Sequence, residues 1–446
     1  MHGDSNDANH YRLRCSVCGQ RRADDGLALG CGAEHGPGLL RTEYRQAGLR
    51  PDPEQSGVFR YRHWLPVRRT LPGAGGSAVF RSERLAGSLG LRELWIAFNG
   101  YWPERGGDLE TGSFKELEAA TVLGRLPEGA GPLVVTSAGN TAIAFAELCA
   151  RHRVPVVLVV PASVLPRLRT RTGADPHVRV VAVTGDADGG CADYADAIAL
   201  GDAIAARPGF VPEGGTRNVG RRDGLGTVLL AAAEAIGGLP AVYAQAIGSG
   251  AGAIAAHEAA VRIRCRRPGP LPRLFLAQNA AFAPVHRAWR TGERSWETGC
   301  EEEQRLAADR AFAPELTNRR PPYDVRGGLC DALTESRGRL YTAAASAAKA
   351  AMDAFRELEG IDIEPPAGVA LAALREAVRE DRIDPAAPVL LNITGGGRAR
   401  LARDHTLTEL PADLRVPRSA VHQPGRVAEL AQALTALLPR AAVPVG

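Results

Sequence analysis

Short runs of consecutive apolar residues recur along the chain, separated by longer alanine-rich stretches. They are LWIAF (94–98), PLVVTS (132–137), VPVVLVV (154–160), VRVVAV (178–183), AVYAQAI (241–247), LPRLFLA (271–277) and PVLLNIT (388–394). A strand with one face in water alternates apolar and polar residues, whereas these runs do not alternate, so they predict strands covered on both faces. The stretches between them are long enough for helices, and strand–helix alternation predicts a parallel α/β sheet. Glycine-rich turns follow several runs, and in such sheets ligands bind beyond the carboxyl ends of the strands. Residues 1–10 are polar and read as disordered. The cysteine-bearing segment from Tyr11 to Tyr44 reads as an appendage, and the proline- and arginine-rich stretches 264–273 and 317–326 read as solvated connecting loops.

Composition sharpens this picture. A chain of 446 residues can bury two well-packed domains. With 54 basic and 50 acidic side chains, a net charge of +4 carries no nucleic-acid footprint. The N-terminus has no apolar stretch of a secretory signal, and the longest apolar run, Val154–Val160, is far short of a membrane span, which predicts a cytoplasmic protein. Eight cysteines, three of them clustered, do not make a disulfide scaffold.

The segment TGSFKELEAA (111–120) puts Lys115 just inside a helix start, after Thr111, Gly112 and Ser113. The positive end of the helix dipole disfavours a cation there. The same field helps a lysine that must lose its proton and form a Schiff base. Residues 136–142, TSAGNTA, follow a buried strand and open a helix, so their N–H groups suit a substrate carboxylate, with Asn140 open both to an N-cap role and to a cofactor contact. AIGSGAGAIAAHEAA (246–260) repeats the arrangement, with Gly248, Ser249, Gly250, Ala251 and Gly252 forming a turn suited to phosphate. The next run, LFLAQNA, ends in Gln278 and Asn279 where a ribose-binding acid would stand, which argues against NAD, and no Walker A sequence occurs. LNITGGGRA (391–399) ends a fourth strand in Thr394 and three glycines.

In this order the four segments resemble the pyridoxal-phosphate (PLP) dependent fold shared by threonine synthase, cysteine synthase and tryptophan synthase β, over roughly residues 60–400. ELEGIDIEPPAGVALAAL (357–374) is similar to that family's late helix entry. Within it, GVFRYRHWLPV (57–67), AFNGYWPERGG (97–107), SFKELEA (113–119) and EGGTRNVGRRDGLGT (213–227) resemble the cysteate synthases, threonine-synthase-like enzymes that act on O-phosphoserine and sulfite. The resemblance implies two parallel-sheet domains of PLP fold type II: a large cofactor-binding domain of residues 57–115 and 216–446, a smaller mobile domain of residues 116–215, and an N-terminal segment of residues 1–56. It implies a homodimer that binds a small amino-acid substrate and an anionic nucleophile, with no nucleic acid or membrane partner. Lys115 would carry PLP, Asn140 the ring oxygen, Gly248–Gly252 the phosphate and Thr394 the ring nitrogen. Thr111, Ser137, Gly139 and Thr141 would hold substrate, with Arg217, Arg221 and Arg222, on a loop from Glu213 to Gly226, serving its anionic groups. A hydroxyl at the ring nitrogen favours elimination and replacement over transamination. The implied reaction is β-replacement through an aminoacrylate. Threonine synthase chemistry on O-phosphohomoserine, another nucleophile with O-phosphoserine, and a non-catalytic PLP-binding protein are the other readings.

Cys15-x-x-Cys18, Cys31 and His35 have the spacing of a structural zinc knuckle, the alternative being a metal-free remnant. Cys149, Cys191, Cys265, Cys300 and Cys330 are scattered and read as buried small apolar residues.

Overall fold

The computed structural model describes residues 10–137, 139–186, 192–292, 294 and 300–439. Residues 1–9 and Cys191 lie outside that set, and with them the expectations placed on them. Two α/β sheets form the body. The larger has six strands in the order Arg339–Ala343, Arg273–Asn279, Val242–Ala246, Val389–Ile393, Leu94–Phe98 and Ala78–Arg81, all parallel except the last. The smaller has five parallel strands in the order Val211–Pro212, Leu133–Thr136, Val156–Pro161, Val178–Thr184 and Leu414–Pro417. All seven continuous apolar runs are strands, within two residues at each end. Their side chains are buried throughout in Val156–Pro161, Val242–Ala246 and Val389–Ile393, as helices on both faces require.

The strands that the pattern does not announce are edge strands. Arg339–Ala343 and Leu414–Pro417 are half-buried, so their sequences, RLYTA and LRVP, carry no continuous apolar run. Leu414–Pro417 pairs with Val178–Thr184, so the C-terminal part of the chain returns to the smaller sheet, and a division keeping 216–446 together does not contain this pairing.

Three further readings change. The N-terminal segment is no loose appendage: Tyr11–Cys15 pairs antiparallel with Leu40–Tyr44, Leu13 and Leu40 are fully buried, and Thr42 and Tyr44 both donate to Asp223 at 2.6 Å. The stretch 213–226 is mostly helix, Val219–Ile236, capped by Asn218, which accepts from the Gly220 N–H. Its glycines look loop-like but serve close packing. A Cβ on Gly224 would stand 2.5 Å from the Leu117 carbonyl, so this helix is pressed against the helix Lys115–Arg125. Of the scattered cysteines within the described residues only Cys149 is buried, Cys265 and Cys300 being exposed and Cys330 half-buried. Among the described residues no helix is long and apolar enough to cross a membrane.

Candidate active site

Lys115 is the first residue of the helix Lys115–Arg125 and keeps about 20% of its side chain open, on the wall of a cavity of about 800 Å³. Burial pushes its pKa down, because an ammonium loses hydration there, and Arg221 pushes the same way while Glu118 opposes both. Glu118, one helical turn on and fully buried, accepts from Lys115 Nζ at 3.1 Å through Oε2. Its other oxygen accepts from Arg221 at 2.8 Å and from the Thr141 hydroxyl at 2.9 Å.

Strand ends of both sheets line this cavity. Ser137, Gly139, Asn140 and Thr141 enter it from the smaller sheet, and Gly248–Gly252 from the larger, at the start of the 14-residue helix Ala251–Arg264. First-turn N–H groups have no intrahelical acceptor, and those at Gly250–Gly252 form the cavity's edge. Gly250 holds φ at 74°, and a Cβ there would lie 2.4 Å from Leu329, so this tight turn needs glycine twice over. Thr394, at the end of Val389–Ile393, completes the wall. A polar chain under the sheet fixes Gln245 beside it: Asn392 donates to Gln245 and to the Tyr243 hydroxyl, and Asn99 donates to Asn392.

Sequence reasoning brings most of its candidates to one place, with exceptions. Ser137, not Asn140, caps the helix Asn140–His152, its hydroxyl accepting from the Gly139 and Ala142 N–H groups at 3.0 Å. The Asn140 amide instead donates to Glu364 at 2.7 Å and accepts from Arg398 at 3.1 Å. Thr111 is buried behind the lysine and is not a cavity residue. Its backbone N–H donates to Glu116, a carboxyl that burial pushes up to about 7. Arg222 also faces away, donating to Glu258 at 3.0 Å and to the Leu40 carbonyl, and so it ties the N-terminal segment down. Arg221 lines the cavity but is clamped by Glu213 and Glu118, while Arg217 is exposed at the mouth. Sequence reasoning missed Glu118, Glu213, Glu364 and Arg398. It also missed that Asn318, Arg320 and Pro322 of the supposed solvated loop are cavity wall, as are Leu29, Gly30 and Pro37–Leu39 of the N-terminal segment. Only the i, i+3 spacing of Lys115 and Glu118 offered a local signal.

Residues 70–395 match the family described as pyridoxal-phosphate dependent enzyme. The chain belongs to that family. It is 49% identical to the cysteate synthase of Methanosphaerula palustris over 91% of this chain and 94% of the relative, and 41% identical to that of Methanosarcina acetivorans over 91% and 96%. Among solved structures, a pyridoxal 5'-phosphate-dependent aspartate racemase superposes with a TM-score of 0.52 at 18% identity over 72% of this chain and 90% of that one. The serine racemase of maize gives 0.51 at 14% identity over 74% and 91%. The two structures share the type II PLP fold with this chain. As a PLP enzyme it has a fitting donor set: a half-buried lysine with a lowered pKa, a helix start bare of side chains at Gly250 and Gly252, and a hydroxyl at Thr394.

In the N-terminal segment, where Cys31 and His35 stand in the chain between the cavity residues Leu29–Gly30 and Pro37–Leu39, the ligand atoms of Cys15, Cys18, Cys31 and His35 lie within 4.8 Å of one another. His35 Nε2 faces Cys31 Sγ at 2.7 Å and Cys15 Sγ at 3.3 Å, while its Nδ1 bonds the Gly36 carbonyl at 2.7 Å. That bond leaves Nε2 as the ligand nitrogen. The Val17 and Ala33 N–H groups donate to the Cys15 and Cys31 sulfurs, as they do to thiolates around a metal.

Proposed function

We propose that this PLP enzyme converts O-phospho-L-serine and sulfite to L-cysteate and phosphate. The observation that carries this reading is the likeness to cysteate synthases along nearly their whole length, 94% and 96% in the two relatives above. Pyridoxal phosphate, when bound, supplies the electron sink that makes the substrate Cα–H acidic and lets a Cβ substituent leave. Lys115 would be its covalent anchor, the N–H groups of Gly248–Gly252 would take its phosphate, and Thr394 would face the ring nitrogen. Asn140 would take the ring oxygen, its amide exchanging Glu364 for the cofactor.

The chain's own residues then position and move protons. The backbone N–H groups at Asn140 and Thr141, at a helix N-terminus with Ser137 stiffening the turn, suit the substrate carboxylate. The Lys115 amine, once free, removes the Cα proton and later returns it to the same carbon. Between these transfers the Cβ–O bond breaks, phosphate departs, and sulfite sulfur forms the new bond to Cβ, so the enzyme's own proton count is unchanged. Arg217 at the mouth offers a guanidinium fork to the departing and arriving oxyanions, while Arg221, its fork held by Glu213 and Glu118, adds positive charge to the cavity wall.

The assay mixes enzyme, O-phosphoserine and sulfite and measures phosphate and cysteate together; equal amounts are expected. Phosphate without cysteate would assign another nucleophile, and threonine from O-phosphohomoserine with no cysteate would assign threonine synthase chemistry. Arg217→Ala should raise the apparent KM for the anionic substrates about ten- to a hundredfold, the range for a lost charged hydrogen bond, without altering the cofactor spectrum.

Cys15, Cys18, Cys31 and His35 are proposed to hold one structural zinc, since three thiolates and an imidazole in a closed tetrahedral set leave no open position for catalysis. Elemental analysis of protein purified without chelator should give about one equivalent per chain. A metal-free, fully stable protein would leave the cluster a remnant.

A further inference from the structure

Glu118, bonded to the cavity lysine, is given no task by the proposed chemistry. It is fully buried and sits 3.1 Å from the amine that must take and return a proton. Both of its oxygens are anchored. Arg221 and Thr141 hold Oε1, which leaves Oε2 for Lys115 alone. Arg221 is in turn held by both oxygens of Glu213, at 2.9 and 2.5 Å. The result is an alternating row, Lys115, Glu118, Arg221, Glu213, drawn from two separate parts of the chain.

We propose that Glu118 is a positioning residue: its carboxylate receives the Lys115 ammonium whenever the lysine is detached from the cofactor, and keeps it aimed at the substrate Cα. This rests on Lys115 being the cofactor lysine. The proton goes from Cα to Lys115 Nζ and back. Glu118 accepts a hydrogen bond from the ammonium and takes no proton itself. With the lysine charged, the four groups sum to zero; with the lysine neutral, one negative charge is left over. The row therefore favours the ammonium at the stage when the amine has just accepted the proton, which counters the desolvation of the site. Among the described residues Tyr194, from the helix Tyr194–Ala205, also faces the row; burial pushes its phenol up to about 12, so it stays neutral through the working range. Nothing in the usual role of a helix-surface glutamate requires full burial, an arginine clamp and a threonine hydroxyl.

The test uses Glu118→Gln and Glu118→Asp. Cofactor capture needs the neutral amine, so the pH midpoint of its rate, followed by absorbance in protein stripped of PLP, reports the lysine's proton affinity. Removing the neighbouring anion in Glu118→Gln should move that midpoint down by about one pH unit or more. Exchange of the O-phosphoserine Cα hydrogen with solvent deuterium should slow by about tenfold or more, with KM little changed. Glu118→Asp keeps the charge that Arg221 needs but withdraws it from Nζ by one methylene. It should fold normally, move the midpoint less and still slow exchange. An unchanged midpoint together with unchanged exchange in either variant overturns the proposal. Borohydride trapping distinguishes the two possible failures: an adduct on Lys115 in these variants keeps the cofactor assignment intact, whereas an adduct elsewhere would overturn that assignment first.

Discussion

Replacing Lys115 by alanine is expected to remove the borohydride-reducible cofactor adduct and to lower phosphate release from O-phosphoserine by about two to four orders of magnitude, the range for losing a positioned acid–base group. The reason is positional. Among the described residues Lys115 is alone on the cavity wall in combining burial, a lowered pKa and access to the space between the Gly248–Gly252 turn and Thr394. Peptide mass spectrometry after reduction should find the adduct on Lys115 in the parent protein and nowhere in the variant. Lys115→Arg is expected to fare no better, because a guanidinium stays protonated and cannot attack a carbonyl. The fold should survive both changes, since removing the lysine leaves Glu118 still bonded to Arg221 and Thr141. An adduct on another lysine, with activity retained in Lys115→Ala, would refute the assignment.

The largest effect on stability should come from Asp24→Ala, about 3–5 kcal/mol, the usual consequence of leaving one member of a buried ion pair without its partner. Asp24 and Arg125 have 2% and 1% of their side chains exposed, and the carboxylate takes the guanidinium two-pronged, at 2.7 Å on each side. Tyr11 donates to the same carboxylate at 2.7 Å, and Arg125 also donates to the Ala28 carbonyl and to Asn218. The pair thus bolts the N-terminal segment to the end of the lysine helix. Burial by itself would raise the Asp24 pKa, but Arg125 and the Tyr11 hydroxyl override it and hold it below the usual carboxylate value. Its folded pKa being depressed, its contribution is fully present above the ordinary carboxylate range and is lost as pH falls through the folded value. Urea titrations of the parent and Asp24→Asn should therefore differ at neutral pH and converge in acid. Equal stability at neutral pH would show that the segment is not held this way.

The sequence by itself determined the body of the fold and singled out Lys115 as the residue to test. A parallel strand buried on both faces must be apolar at every position, and this requirement leaves an unbroken run such as VPVVLVV that no helix or loop needs to show. The turns that follow such strands must be small and rich in free N–H groups to hold an anion, so TSAGNTA and IGSGAG were also legible, and Lys115 stood out because a cation is misplaced at a helix start. What the tertiary structure alone decided is which charged side chains face inward. Arg221 and Arg222 are neighbours in sequence and on one helix, yet a step of about 100° along that helix sends one to the cavity and the other to Leu40 and Glu258. Gly224, in a stretch that reads as a loop, lies at the contact between two helices, because a missing Cβ means either freedom or close approach, and only a neighbour such as Leu117 tells which. Asp24 and Arg125 are 101 positions apart in the chain, and Asn140 and Glu364 are 224 apart. Burial of a charge is a property of its partner, and a partner that distant leaves no local trace in the pattern from which strands and helices are read.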